Sequence, residues 1–227
     1  MKLPTAEQIR KAKEYIIPAE EVSHADEREA MDVVFNSGIS TLEKVYALDK
    51  IYNCNLKLSE DEYRSLSKRL RGVEERIKSA EDYKTADAIV EEISLWECKS
   101  CKRIKRIGTV FASKYCYFTK RQPEGLFIIY DKYADMALTY LYLEATNAVQ
   151  RYWGNYKGYA SKVRELLQQL KGEGIHYRDI DKYLWLFGQV LSAIDKPDTA
   201  PTRIKRLDKE KLAQLKRSLD PLEEGTP

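Results

Sequence analysis

The centre of the chain holds a lysine and an aspartate whose types and spacing suit nucleophilic chemistry. Lys114 lies within GTVFASKYCYF, and Asp131 follows the apolar run LFIIY, 17 residues further along. In a helix over 109–119, Lys114 shares a face with Val110 and Phe118. A lysine beside such an apolar stripe either extends its ammonium to solvent or is desolvated and acts as a nucleophile. The spacing alone favours the first of these two interpretations.

Asp131 has two interpretations that are compatible with each other. It comes directly before the helical run KYADMALTYL, and Asp is a preferred N-cap residue because its carboxylate accepts backbone N–H groups of the first turn. A cap that lies behind an apolar run can also present its carboxylate to a cleft. The sequence therefore predicts a cap at Asp131 and leaves a further role open.

Positive charge is concentrated in 99–121, which contains eight Lys and Arg residues and no Asp or Glu. Such a stretch can neutralise phosphates, and the interleaved Tyr115, Tyr117 and Phe118 either stack on bases or lie in the core. The alternative is a solvated helix end, where cations are favoured by the helix dipole. The predicted nucleic-acid contacts are Lys99, Lys102, Arg103, Lys105, Arg106, Lys120 and Arg121.

The remaining motifs argue against several classes of site. Cys98 and Cys101 form a single CxxC pair, and the two histidines of the chain, His24 and His176, are far from it in sequence. A zinc site usually needs four such ligands at short spacings, so we expect no metal and no cofactor. The sequence contains no phosphate-binding Gly-rich loop and no G-x-S-x-G elbow, the motifs of nucleotide-binding proteins and serine hydrolases.

The elements that must position these residues are predicted to be helices. Only 10 Gly and 7 Pro occur in 227 residues, and apolar residues recur at helical spacing along most of the chain. Helices are expected at about 5–16, 19–35, 41–52, 60–73, 81–96, 109–119, 133–145, 156–171 and 177–194, with a short one at 208–219. Ser59 to Glu62 matches a capping box, which predicts a helix start at 60. The run LFIIY has no strand partner elsewhere.

These elements predict an all-α, compact multi-helix domain over 1–195, with the site unit at 108–138. Two helical lobes around a cleft are one arrangement of it. Residues 196–227 are Pro-flanked and highly charged, and we expect a partly mobile or externally docked tail.

The net charge is +3, with 39 Lys and Arg against 36 Asp and Glu. No run is apolar and long enough to span a membrane, no signal-peptide core is present, and a cytoplasmic location is expected.

The segment around Lys114 and Asp131 resembles the helix-hairpin-helix superfamily of DNA glycosylases. The resemblance lies in GTVFASKY, in the spacing from lysine to aspartate, in the apolar loop before Asp131 and in the amphipathic helix after it. It is nearest to the 8-oxoguanine DNA glycosylase branch, and uncharacterised bacterial proteins share a similar FASKYC and IYD core. The superfamily's hairpin reads L-P-G-x-G, of which only Gly108 is present here.

The resemblance implies a DNA glycosylase or lyase in which Lys114 is the nucleophile and Asp131 its carboxylate partner. A lysine amine can attack the anomeric carbon and form a Schiff base, and a carboxylate stabilises the positive charge that develops on the sugar. The target base must leave the stack for a pocket. Aromatic residues that can form this pocket, or alternatively only the core, are Tyr152, Trp153, Tyr156 and Trp185, with Phe187 as a further candidate.

Two other functions remain open at this point. One is a non-catalytic helical interaction module of a defence or toxin–antitoxin system, with a protein partner. This function predicts that Lys114 is exposed or paired with a surface acid, far from Asp131. The other is a nucleic-acid binder without chemistry, which keeps the basic stretch. DNA is the expected partner of the enzyme, RNA is not excluded, and no membrane partner is expected.

Overall fold

The protein is all-helical throughout the part of the chain that the structure describes. The computed structural model describes residues 3–20, 24–51, 54, 56–96, 108–120, 125–143, 156–195, 204 and 207–221, which form eleven helices and no strand. The all-α fold class predicted from the sequence is confirmed. The helices are α1 (Ala6–Glu20), α2 (His24–Asn36), α3 (Thr41–Lys50), α4 (Glu60–Arg71), α5 (Glu74–Ser79), α6 (Tyr83–Ser94), α7 (Thr109–Lys120), α8 (Lys132–Leu143), α9 (Tyr156–Gln169), α10 (Tyr177–Asp195) and α11 (Lys209–Leu219).

The chain divides into two compact units. The central unit is Glu20–Tyr130, and the terminal unit combines Met1–Ala19 with Asp131–Pro227. The central unit therefore contains α2 to α7, whereas the terminal unit contains nearly all of α1 together with α8 to α11. None of the helices in the described ranges has the length and apolarity that crossing a membrane requires.

Helix α7 is the core helix of the central unit, and α2, α3, α5 and α6 all pack against it. Its sequence explains this position, because apolar side chains lie on nearly every side of the helix, and such a helix is stable only when surrounded. Phe111, Tyr115 and Phe118 are all fully buried. Tyr115 also donates a hydrogen bond of 2.6 Å from its hydroxyl to Glu74 Oε1 at the start of α5.

Local signals set the starts of the helices around α7. Ser59 caps α4 in a complete capping box with Glu62, as its sequence pattern predicts, and Ser40 and Glu43 do the same for α3. The prediction of one continuous helix over 60–73 is wrong, because α4 ends at Arg71 and a separate short helix, α5, begins at Glu74. Gly72 follows α4 directly and lowers the stability of a continuing helix.

Gly108 makes the turn that leads into α7. Its φ is +84°, a left-handed conformation that residues with a Cβ rarely adopt. Its N–H donates to Ser94 O at 3.2 Å, and its carbonyl accepts the N–H of Ala112 at 3.2 Å. Gly108 therefore connects the end of α6 to the first turn of α7.

The apolar run LFIIY is a buried, irregular segment and not a strand. Residues 126–130 are all buried and form no ladder with any described residue. A buried backbone without regular structure must find other hydrogen-bond partners. One of them is the side chain of Ser113 in α7, which accepts the N–H of Tyr130 at 2.9 Å.

In the terminal unit, α8 packs closely on α10. A Cβ built on Gly188 in α10 would lie 1.8 Å from the carbonyl oxygen of Tyr133 in α8. The two backbones therefore approach each other more closely than any side chain at position 188 would permit. This contact lies two residues after Asp131 and fixes the first turn of α8 against α10.

The helix predicted at 208–219 is present as α11, and it packs on α10. Tyr183 donates from its hydroxyl to Leu219 O at 2.7 Å, and Tyr140 donates to Asp220 Oδ2 at the same distance. Leu219 is fully buried. This part of the charged C-terminal segment is therefore docked on the terminal unit.

Candidate functional site

Lys114 lies in the middle of α7 and is buried. Only 7% of the residue is exposed, so no more than the tip of its side chain reaches solvent. On α7 it shares a face with Phe118, which is also buried. Of the two sequence-based interpretations, a lysine fully extended into solvent does not match this burial. A non-catalytic module predicts Lys114 either exposed or paired with an acid, and the burial of Lys114 disagrees with the first of these two arrangements only.

The residues next to Lys114 fix the orientation of α7 about its helix axis. Tyr115 is buried between the rings of Phe35 and Phe111, and its hydroxyl bonds Glu74. Burial raises the pKa of Tyr115 well above its usual range, and the neighbouring carboxylate of Glu74 raises it further. Burial likewise raises the pKa of the Cys116 thiol. Neither group is therefore ionised at neutral pH, and both act as packing groups.

Ser113 joins α7 to the segment that leads into Asp131. Its hydroxyl oxygen accepts the Tyr130 N–H at 2.9 Å and donates to Val110 O at 3.1 Å. Ser113 is fully buried, and Tyr130 is buried as well. A buried N–H that lost this acceptor would be unsatisfied, so the bond fixes the end of the 126–130 segment on α7.

Asp131 caps α8, as predicted from the sequence. Its Oδ1 accepts the Tyr133 N–H at 2.8 Å, and its carbonyl accepts the Asp135 N–H at 2.9 Å. The residue is partly exposed. The cap uses Oδ1, and so Oδ2 is available for a ligand.

Two further carboxylates share the surroundings of Asp131 in the terminal unit. Tyr159 in α9 is fully buried, and burial is the main reason that its pKa lies well above the usual range. Its hydroxyl is also close enough to Asp131, Asp135 and Asp181 for their negative charges to raise this pKa. Asp131, Asp135 and Asp181 therefore all act on one buried hydroxyl of the terminal unit, and Asp181 also pairs with Arg178 at 3.7 Å.

The boundary between the two units falls between Tyr130 and Asp131. Lys114 consequently belongs to the central unit, whereas Asp131 is the first residue of the segment that continues into the terminal unit. Asp131 is held by hydrogen bonds with the first turn of α8. Lys114 lies on α7, which packs among the helices of the central unit.

Lys120 is the one predicted nucleic-acid contact within the described residues. Its ammonium donates to Lys78 O at 2.8 Å and to Ala80 O. These carbonyls lie at the C-terminal end of α5, where backbone acceptors lack partners within the helix. Lys120 therefore caps α5, and its contact with a phosphate stays a prediction. The other predicted contacts, Lys99, Lys102, Arg103, Lys105, Arg106 and Arg121, lie outside the described residues.

The aromatic residues predicted to line a base pocket differ in exposure. Tyr156 begins α9 and is fully buried, as expected of a core residue. Trp185 in α10 is half-buried and presents part of its indole at the surface of the terminal unit. Tyr152 and Trp153 lie outside the described residues.

Metal-ligating residues do not cluster in the described ranges. No group of three or more His, Cys, Asp or Glu side chains there is arranged to hold an ion. Of the cysteines, Cys54 is half-buried and Cys116 is buried, and neither forms a disulfide bond. Cys98 and Cys101 lie outside the described residues.

Comparisons of the chain with protein-family models, with curated proteins and with solved structures found no match. The candidate site is therefore defined by this chain's own residues. Among these, the sequence interpretation did not single out Ser113, Asp135 or Tyr159. Two signals were present: Ser113 and Tyr130 have the same 17-residue spacing as Lys114 and Asp131, and Asp135 follows Asp131 by one helical turn.

Proposed function

We propose that the protein is a DNA glycosylase or lyase of helix-hairpin-helix type, which cleaves the N-glycosidic bond of a damaged or modified base. Lys114 is the nucleophile and Asp131 is its electrostatic partner. The observation that carries the proposal is the hydrogen bond between Ser113 and Tyr130. It joins the residue before Lys114 to the residue before Asp131, so the chain positions next to the two proposed catalytic groups are fixed to each other.

The burial of Lys114 supports its role as a nucleophile. In its neutral form, the Lys114 amine attacks the anomeric carbon of the nucleotide, and the base leaves with the bonding electron pair and takes up a proton. Loss of the amine proton and opening of the sugar ring give a Schiff base between Lys114 Nζ and the former anomeric carbon. A buried amine has little competing water around it, which favours this covalent intermediate over simple hydrolysis.

The cap at Asp131 supports the role of the carboxylate. Because the Tyr133 N–H binds Oδ1, the carboxylate is held in one orientation, and Oδ2 can face the sugar. The sugar gains positive charge as the base departs, and a fixed negative charge stabilises that transition state more than the ground state.

The proposed reaction also requires that the target base be turned out of the duplex. Of the two predicted pocket residues that the structure describes, Trp185 is half-buried and Tyr156 is buried, so Trp185 is the one with surface left to stack on an extruded base. Tyr152 and Trp153 remain proposed members of the same pocket. The buried Tyr156 supports the fold of α9 and is not proposed to contact the base.

Borohydride trapping tests the covalent step. The protein is incubated with duplex DNA that carries an abasic site or an oxidised base, and borohydride reduces any Schiff base to a stable secondary amine. The proposal predicts an adduct with the unmodified protein and none with Lys114→Met. Lys78→Met is a matched control because Lys78 is an exposed lysine of the same unit, and it should give the full adduct.

A base-release assay on the same duplexes detects a glycosylase that uses water as the nucleophile and forms no adduct. Released base without an adduct would support glycosylase activity but contradict a Schiff base at Lys114. If neither an adduct nor released base is formed, the enzymatic proposal is wrong. DNA binding that survives Lys114→Met under those conditions would instead indicate a nucleic-acid binder without chemistry.

A further inference from the structure

The C-terminal half of α4 presents three exposed cations that form no ion pair with any acidic residue the structure describes. Lys68, Arg69 and Arg71 are all exposed. None of them makes an ion pair or a side-chain hydrogen bond within the part of the chain that the structure describes. The sequence between Glu62 and Glu74 contains no Asp or Glu. We call these three residues the α4 basic surface.

Three other exposed cations of the central unit differ from this surface because each of the three has an acidic partner. Arg64 pairs with Glu60 at 3.0 Å. Arg76 pairs with Glu92 at 2.9 Å, and Lys78 pairs with Glu75 at 2.8 Å. All three cations are exposed, as are those of the α4 basic surface. Exposure alone therefore does not explain why Lys68, Arg69 and Arg71 have no partners.

Packing of α4 fixes the direction of the α4 basic surface. Tyr63, Leu66 and Leu70 are buried and hold one face of the helix in the core of the central unit. Lys68 and Arg71 are three residues apart and therefore share the opposite face, about 4.5 Å apart along the helix axis. Arg69 lies about 100° around the helix from Lys68 and about 160° from Arg71, so Lys68 and Arg71 form the shared face and Arg69 flanks it beside Lys68.

The helix dipole accounts for only part of this arrangement. Cations near a helix C-terminus are favoured by the helix dipole, but Lys68 and Arg71 repel each other at their i,i+3 spacing. A ligand with several closely spaced negative charges relieves that repulsion. The phosphate backbone of duplex DNA is such a ligand, because it carries one negative charge per 1.7 Å or so of helix axis.

We propose that the α4 basic surface binds the phosphate backbone of duplex DNA, as a contact separate from the predicted basic stretch over 99–121. The choice of DNA as the polyanion rests on the proposed function. The contact supplies affinity and position without reading sequence, since phosphate contacts carry no base information. It lies in the same unit as Lys114.

Salt-dependent DNA binding by two triple variants tests this inference. The test variant carries Lys68→Gln, Arg69→Gln and Arg71→Gln. The control carries Arg64→Gln, Arg76→Gln and Lys78→Gln, which removes three exposed cations of the same unit that already have acidic partners. Both variants take the formal net charge from +3 to zero, so long-range charge effects are matched. Binding to an undamaged duplex is followed by fluorescence anisotropy over a range of salt concentrations, with thermal melting to confirm folding.

The test variant should bind at least about tenfold more weakly at about 0.1 M salt, and the slope of log affinity against log salt should fall by roughly one per cation removed. The control variant should keep most of the affinity and slope. Equal losses in the two variants, or no loss in either, would overturn the inference.

Trapping separates a failure of this inference from a failure of the proposed function. If the unmodified protein forms the Lys114 adduct but the test variant binds DNA normally, the α4 basic surface is not a DNA contact and the enzyme stands. If no adduct forms but the test variant alone loses binding, the surface stands and the chemistry fails. If the unmodified protein does not bind DNA at any salt concentration, both are wrong.

Discussion

The backbone N–H of Tyr130 donates a hydrogen bond of 2.9 Å to the hydroxyl oxygen of Ser113. Both residues are buried. Lys114 follows Ser113 and Asp131 follows Tyr130 in the chain, so this bond connects the backbone next to each proposed catalytic residue. A small polar side chain at position 113 is therefore as much a part of the candidate site as the charged residues.

Replacing Ser113 with Ala should destabilise the central unit. The Tyr130 N–H would lose its acceptor in a buried position, which costs about 1–3 kcal/mol. Chemical denaturation measures the loss. Ser37→Ala is the control because the Ser37 hydroxyl is exposed where it donates to Val34 O at 3.1 Å, and it should change stability little. If the two substitutions lowered the free energy of unfolding equally, the buried Ser113 bond would stabilise the protein no more than the exposed Ser37 bond does.

Substitutions at Asp131 should separate its capping role from its charge. Asn caps helices about as well as Asp does, so Asp131→Asn should keep the bond to the Tyr133 N–H and nearly full stability. Asp131→Ala should lose about 1 kcal/mol. Thermal melting compares the stabilities, and base release compares the activities.

The proposed chemistry predicts that Asp131→Asn is stable but loses most of its activity, because a neutral amide does not stabilise positive charge on the sugar. An Asn variant with unimpaired base release would mean that Asp131 is only a helix cap.

Gly188→Ala should strongly destabilise the terminal unit. Its Cβ would lie 1.8 Å from Tyr133 O, and neither backbone can move without separating α8 from α10. We expect a loss of about 3 kcal/mol, which lowers the melting temperature by roughly 6–12 °C. Gly72→Ala is the matched control, since its Cβ would meet Arg69 O at 3.3 Å. Similar melting temperatures for the two variants would contradict the close approach of α8 and α10.

Lys120→Met should lower stability because the side chain no longer caps α5. The Lys78 and Ala80 carbonyls would lose their ammonium donor, at a cost of about 1–2 kcal/mol. Lys171→Met, at an exposed lysine, is the control for loss of charge. An unchanged melting temperature for Lys120→Met would argue against the cap, and DNA binding measured on the same variant tests the predicted phosphate contact.

Periodicity and cap residues in the sequence were sufficient to predict most helices. The Ser59 capping box, the helix around Lys114 and the cap at Asp131 all appear as local patterns of a few residues, and the structure confirms them. The break at Gly72 was missed because α4 and α5 together continue one apolar pattern. Single glycines inside helices are tolerated at modest cost, so a lone Gly does not by itself predict a helix end.

Long-range partners could not be predicted from local patterns. Lys120 bonds carbonyls about 40 residues away in sequence, whereas its neighbours suggested a phosphate contact. The Glu74 carboxylate looks like an ordinary first-turn acid, but it accepts the hydroxyl of Tyr115 41 residues further on. Such bonds depend on which helices pack together, and the spacing of residues within one helix does not contain that information.

Peptide mapping of the reduced adduct tests the central claim most directly. The protein is trapped with borohydride on DNA that contains an abasic site, digested, and analysed by mass spectrometry to locate the modified amine. We predict that the sugar remnant is attached to Lys114, within the peptide that spans α7. A remnant on any other lysine, or on the N-terminal amine, would contradict the proposal that Lys114 is the nucleophile.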